Sequence, residues 1–222
     1  MILFIGLVIR IVLSPYWTYE GNFGTWKAWA YGISNGGFSS FYDKIWCDYM
    51  HGYLYILWLL QHIHSAFPTI PDNILFKFPA NLSDLGIAIL IFFLLNNITS
   101  LKNAKIASLA YFFNPASLSN STFWGQDDSF HTLPLLVSIL LGIKRHFVLS
   151  SIFAVIAFMI KPQSIVIFPI IGFLIIRDVI RRKKDNRIVI KTLILSIKIF
   201  VGLLYTFVTS MIQLCGNNGE RV

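Results

Sequence analysis

Outside residues 15–72, apolar residues fall along this chain in long runs separated by short polar stretches, not at the three-to-four-residue spacing of a helix with one wet face. Runs of roughly 15 to 25 apolar residues have the length of a helix that crosses a bilayer. They predict spans at 1–14, 73–95, 105–113, 130–142, 146–160, 163–176 and 188–214, the third extending toward Ser119. Pro79 and Pro134 bend the second and fourth, and Lys161-Pro162 ends the fifth at a re-entrant or tight turn. Between the first two spans, 15–72 carries no clean span. There Phe23, Trp26, Ala30 and Ile33 share one helical face, which predicts an amphipathic helix in the plane of the membrane surface, where tryptophan is comfortable. Gly36-Gly37 breaks it, a polar loop holds Tyr42, Asp43, Lys44, Asp48 and Tyr49, and a second helix follows at 52–65. The pattern predicts an all-α fold: a polytopic membrane helical bundle, one domain over 1–222. Residues 15–72 form its large extracytoplasmic loop of amphipathic helices, and 73–214 its remaining spans.

Composition agrees. The 222 residues are 56% hydrophobic and 13% charged, where a soluble domain would be near a quarter charged. Mean hydropathy is +0.68. The net charge of +8 does not point to nucleic acid, because most basic residues sit at the ends of apolar runs. One set of connections holds Lys102, Lys105, Lys144, Arg145, Arg177, Arg181, Arg182, Lys183, Lys184 and Arg187. The other holds Glu20, Asp43, Asp48, Asp72, Asp127 and Asp128. By the positive-inside rule the basic set is cytosolic and the acids face the lumen or the cell exterior. Run 1–13 has no basic leader and no small-residue cleavage site, so it reads as a retained span.

Candidate chemistry concentrates at 114–130, where Trp124, Gly125, Gln126, Asp127 and Asp128 occupy a polar gap between apolar runs. Carboxylates beside hydrocarbon cost free energy and are kept for function, although an acid at a helix start also caps free N–H groups. Trp124 and Gln126 stand in this gap as candidates to line a site; packing is the other reading for Trp124. Arg10, inside the first run, needs an anion or an interface, so a phosphate or an acid of the next segment would serve it. Lys161 stands at a helix entrance, placed for phosphate contact or interfacial snorkelling. Lys77 and Asp84 share a face of the second span, which leaves a mid-membrane ion site of a transporter as a third reading. His51, His62, His64 and His131 lack metal-ligand spacing, so no metal is expected, with recruitment of a divalent cation kept as the alternative. Cys47 and Cys215 are far apart and read as unlinked thiols or as a disulfide in an oxidising compartment. Asn81, Asn97 and Asn120 are glycosylation acceptors by pattern only.

Five pieces together resemble the GT-C glycosyltransferases that use polyprenyl-phosphate sugars, in particular GPI mannosyltransferase II-like and related prokaryotic enzymes. They are Trp26-x-x-Trp29-Ala30, Asp48-Tyr49 before Gly52-Tyr53-Leu54-Tyr55, Asn114-Pro115, Trp124-Gly125-Gln126-Asp127-Asp128-Ser129 and Lys161-Pro162-Gln163. The resemblance covers nearly the whole chain but only the N-terminal half of a typical member, which reads as a C-terminal truncation. It implies transfer of a sugar, mannose first among the candidates, from a lipid phosphate to a glycan, lipid or protein acceptor outside the cytosol, in a multi-pass membrane protein, with Trp124 and Gln126 shaping or stacking on the sugar. It implies an acid in the first loop as base, Asp128 as a further carboxylate, and Lys161 with Arg10 on the phosphate. Gln163 is carried by the resemblance alone. Two departures stand out. Asn22 occupies the position of the first-loop acid, so Glu20 or Asp48 must substitute, and Met50-His51 replace two prolines before Gly52. A non-catalytic subunit that holds a lipid or glycolipid for a partner enzyme is the second reading, and Asn22 favours it.

Overall fold

The computed structural model describes residues 1–181 apart from 39, 40 and 48, together with 194, 198, 201, 202 and 205. Every regular element among them is helical. In order these are α1 (Ile2–Leu13), α2 (Glu20–Gly36), α3 (Phe41–Lys44), α4 (His51–Ala66), α5 (Asp72–Asn96), α6 (Leu101–Phe112) and α7 (Pro115–Ser117). A π-helical turn (Leu118–Trp124), α8 (Asp128–Ile143), α9 (Phe147–Ile160), a 3-10 turn (Pro162–Val166) and α10 (Ile167–Arg181) follow. The first six stretches expected as spans are helical, as α1, α5, α6, α8, α9 and α10, although α6 begins four residues early and the sixth stretch opens as a 3-10 turn before α10; the seventh, 188–214, falls largely outside the described residues. At about 1.5 Å per residue the 25 residues of α5 reach roughly 37 Å, enough for the hydrocarbon layer. Among the described helices, α5 alone is long and apolar enough to cross a membrane, while α1, α8 and α9 are apolar but shorter.

The chain folds as two compact units that alternate along the sequence. One comprises Met1–Asn35 with Leu54–Leu133, the other Gly36–Tyr53 with Pro134–Val222.

The first unit is built on α5, which packs against α1 and, most extensively, against α6. Small residues bring the backbones together. Ala88 and Ala104 are fully buried, and Ser108 Oγ donates to Ala88 O at 2.6 Å. Leu7, Ala88 and Phe112 form the apolar centre, with Leu3, Ile11 and Leu85 around it. Gly6 leaves room for the Phe112 and Phe113 rings, each 2.7 Å from where a Cβ would stand. Ser100 caps α6 by accepting from the Asn103 amide, which satisfies a free donor of the first turn. Helix α2 does show the apolar face expected of it, but that face is covered by protein. Phe23, Trp26, Ala30 and Ile33 are buried, Trp29 joins them, and Phe23 meets Phe76 of α5 edge-on. Burial of this kind removes the same apolar area from water that a lipid surface would, so the periodicity could not tell the two coverings apart.

The second unit joins α8 and α9 through a tight turn in which Arg145 takes φ 67° and reaches Asp178 of α10 at 3.1 Å. Ser138 and Ser150 each donate to the other's carbonyl at 2.7 Å, a reciprocal pair that satisfies both hydroxyls between apolar helices. Phe147, Ala154, Ile167, Ile171 and Ile175 form its core.

Candidate functional site

The polar gap at 114–130 is not a loop. Asn114 caps the short α7 by accepting from the Ala116 amide, Pro115 fits the first helical position, and the helix widens into a π-turn through Trp124. π-turns are rare and often sit at functional sites. The turn closes at Gly125, whose φ of 84° favours glycine. The carbonyl of Asn120 accepts from the amides of both Gly125 (3.0 Å) and Gln126 (2.9 Å). The side chain of the same asparagine donates to Asp128 Oδ2 at 3.2 Å. Asp128, half-buried, opens α8, where the helix dipole favours its charge; Asp127, just before it, is buried. Trp124 is 42% exposed, and its ring lies 5.2 Å from that of Tyr19, tilted by 54°. Glu20 follows Tyr19 as the exposed first residue of α2. Asn22, two residues on, is half-buried. This unit therefore brings together two rings, an oriented carboxylate, Gln126 and the segment bearing Glu20.

Beneath these lies a buried polar network. Arg10 is 1% exposed; it donates through Nη1 to Asp84 Oδ2 at 2.5 Å and through Nη2 to Phe112 O and to Ser117 Oγ. Asp84 also accepts from Tyr111 (2.8 Å), Ser117 (3.1 Å) and Ser129 (2.5 Å). Of the two partners the sequence allowed Arg10, the protein supplies the acid of the next span. Asp84 pairs with Arg10 and not with Lys77. Lys77 is fully buried, its ammonium surrounded by oxygens of 14–18 and 122–123.

The second unit holds a separate cleft of about 390 Å³ lined by Tyr49, Ile160, Lys161, Pro162 and Gln163. Lys161 is extended (φ −138°, ψ 124°), as a residue before proline must be, and this ends α9. Its Nζ lies over the Tyr49 ring at 5.6 Å from the centroid, and Gln163 is exposed. Ser164 Oγ is buried without a hydrogen-bond partner beside this turn. Gly52 is needed there: a Cβ would stand 2.5 Å from Met159 O. Next to it, burial pushes the His51 imidazole below its ordinary pKa, and its ring meets Tyr42 at 4.9 Å. Asp48 and Cys215 lie outside the described residues; Cys47 is buried, is in no disulfide among the described residues, and its Sγ donates to Tyr49 O at 3.7 Å. Among the described residues no three His, Cys, Asp or Glu side chains converge as metal ligands.

Sequence reasoning missed Tyr19, Asn120 and the oxygens around Lys77. Asn120 carried only the glycosylation pattern, and Tyr19 carried no signal at all. Comparisons of the chain with protein-family models, with curated proteins and with solved structures give no significant match.

Proposed function

We propose that the chain is a glycosyltransferase of GT-C type, which moves a sugar from a polyprenyl phosphate to an acceptor hydroxyl on the non-cytosolic face of a membrane it crosses several times. Mannose is the sugar the motif resemblance favours. The observation that carries the reading is the exposed Trp124–Tyr19 ring pair beside Asp128, whose carboxylate Asn120 holds. Apolar ring faces stack on the C–H faces of a pyranose, and carboxylate and amide groups bond its hydroxyls.

In such a transfer the acceptor oxygen bonds to the anomeric carbon as the carbon–oxygen bond to phosphate breaks, with inversion. The electron pair leaves with the lipid phosphate, and a carboxylate takes the acceptor proton. Glu20, exposed on the first turn of α2, and Asp128 are the candidate bases among the described residues, with Asp48 the third from the sequence. The motif resemblance, and not the geometry, assigns Lys161 and Gln163 to the departing phosphate, whose developing charge a cation stabilises; in the second unit they line the cleft of about 390 Å³. Arg10, committed to Asp84, is assigned to the scaffold. No cofactor is assigned, and the lipid bilayer and the carrier are the partners implied.

The test is transfer from labelled polyprenyl-phosphate mannose by membranes containing the chain. Asp128→Asn or Glu20→Gln should lower kcat by roughly 10²- to 10⁴-fold if the carboxylate is the base. Asn22, where an acid is expected, favours the second reading, a subunit that holds a lipid or glycolipid for a partner. Binding of the lipid by a folded chain that transfers nothing, with acceptors supplied, would establish that reading instead.

A further inference from the structure

Lys77 has five oxygens around its ammonium, and the proposed sugar transfer does not use it. It projects from α5 with no exposed surface. Its Nζ lies 2.8 Å from Ser14 O, 2.6 Å from Trp17 O, 3.0 Å from Thr18 Oγ1, 3.2 Å from Thr122 O and 3.0 Å from Phe123 O. An ammonium has three protons, so five oxygens at this range surround it as they would a bound cation, through charge as much as through directed hydrogen bonds. None of the five is a carboxylate. They come from two stretches about a hundred residues apart in sequence, one leading directly into Tyr19 and Glu20 and the other into Trp124. The stem of Lys77 fills the space beside Gly125, where a Cβ would stand 3.0 Å from Cε and 3.2 Å from Cγ.

We infer that Lys77 is a tethered cation that clamps the 14–18 segment to the end of the π-turn, and so fixes the Tyr19–Trp124 ring pair and the start of α2. It is a positioning residue. Four of the five oxygens are backbone carbonyls with no charge of their own, whose dipoles repel when aligned, so a positive group among them favours their convergence. What the held segments are for rests on the sugar-transfer reading; the clamp itself rests on this geometry alone.

The experiment pairs amide hydrogen exchange with sugar transfer, on the purified full chain in detergent, for Lys77→Met, Thr18→Val and Lys77→Ala. With Lys77→Met, exchange at 16–20 and 123–126 should quicken together by about tenfold or more, while the interior of α5 keeps its protection. Thr18→Val, which removes one oxygen and no charge, should do the same to a smaller degree, and it decides the matter if Lys77→Met does not fold. Lys77→Ala should recover protection at both segments in millimolar n-propylammonium, which restores a cation and a stem, and not in tetramethylammonium. Transfer should fall mainly in kcat and recover with the same amine. Unchanged exchange, or exchange that quickens uniformly over the chain, would overturn the clamp. A wild-type chain that transfers nothing, with exchange behaving as described, would sink the enzyme reading and leave the clamp standing.

Discussion

At the scale of single residues, the Arg10–Asp84 pair decides how the first unit holds together. Both side chains are at most 1% exposed and 2.5 Å apart, and Asp84 has three further hydroxyl donors. Removing one partner of such a pair strands a buried charge and costs about 3 to 5 kcal/mol, while removing both together costs far less than the sum. Arg10→Met and Asp84→Leu should therefore each lower the thermal unfolding midpoint strongly in detergent, and the double variant should recover much of the loss. Equal, additive losses would mean that the pair is not coupled. An arginine in an apolar run announced that an anion was needed, which made half of this pair legible in the sequence. That Tyr111, Ser117 and Ser129 would converge on the same carboxylate was not, because hydroxyls in apolar helices carry no mark of their destination. Lys77 was legible only as a cation sharing a face with Asp84, which pairs with Arg10 instead, and its oxygens were hidden because four of the five are backbone carbonyls.

At the scale of elements, helix positions followed from the apolar runs, since run length and proline placement act locally. The start of α8 at Asp128 and the end of α9 at Ile160 lie within two residues of the expected limits of 130 and 160. The π-turn did not follow. A π-turn adds one residue to a helical turn and leaves composition and hydrophobic period almost unchanged, so 114–130 read as a polar gap. Its closing residue offers a direct check. Gly125 has φ 84°, and a methyl group there would press on the Lys77 stem, which cannot swing away while its ammonium is held by five oxygens. Gly125→Ala should cost about 1 to 3 kcal/mol, more than the one-residue strain of an alanine at positive φ in open space. The measurement is the unfolding midpoint of Gly125→Ala beside that of Gly37→Ala, whose φ of 73° has nothing within 4 Å of the added carbon. Equal losses at the two sites would show that the lysine gives way and that only backbone strain is felt.

At the scale of the whole molecule, α2 shows what a sequence leaves open. Its face of Phe23, Trp26, Trp29, Ala30 and Ile33 was legible as apolar, but lipid and protein satisfy such a face alike, and here protein covers it. The outward residues of α1, among them Phe4, Ile5, Val8 and Val12, remain exposed, as does Phe173 of α10. These are the faces a bilayer would cover if the chain crosses it as proposed. On the proposed topology the positive-inside rule would put Lys102 and Lys144, both exposed at helix ends, on the cytosolic side, and Tyr16, 78% exposed ahead of α2, on the other. The check is single-cysteine labelling in intact cells, in a background where Cys47 and Cys215 are replaced by serine. A membrane-impermeant maleimide should modify Tyr16→Cys at once and reach Lys102→Cys and Lys144→Cys only after the membrane is opened. Labelling of all three in sealed cells would remove the membrane orientation, and with it the placement of Glu20 and Asp128 on the face where lipid-borne sugars are transferred. Reversed labelling would keep the spans but put both carboxylates in the cytosol, where a nucleotide-sugar donor would be the one to test.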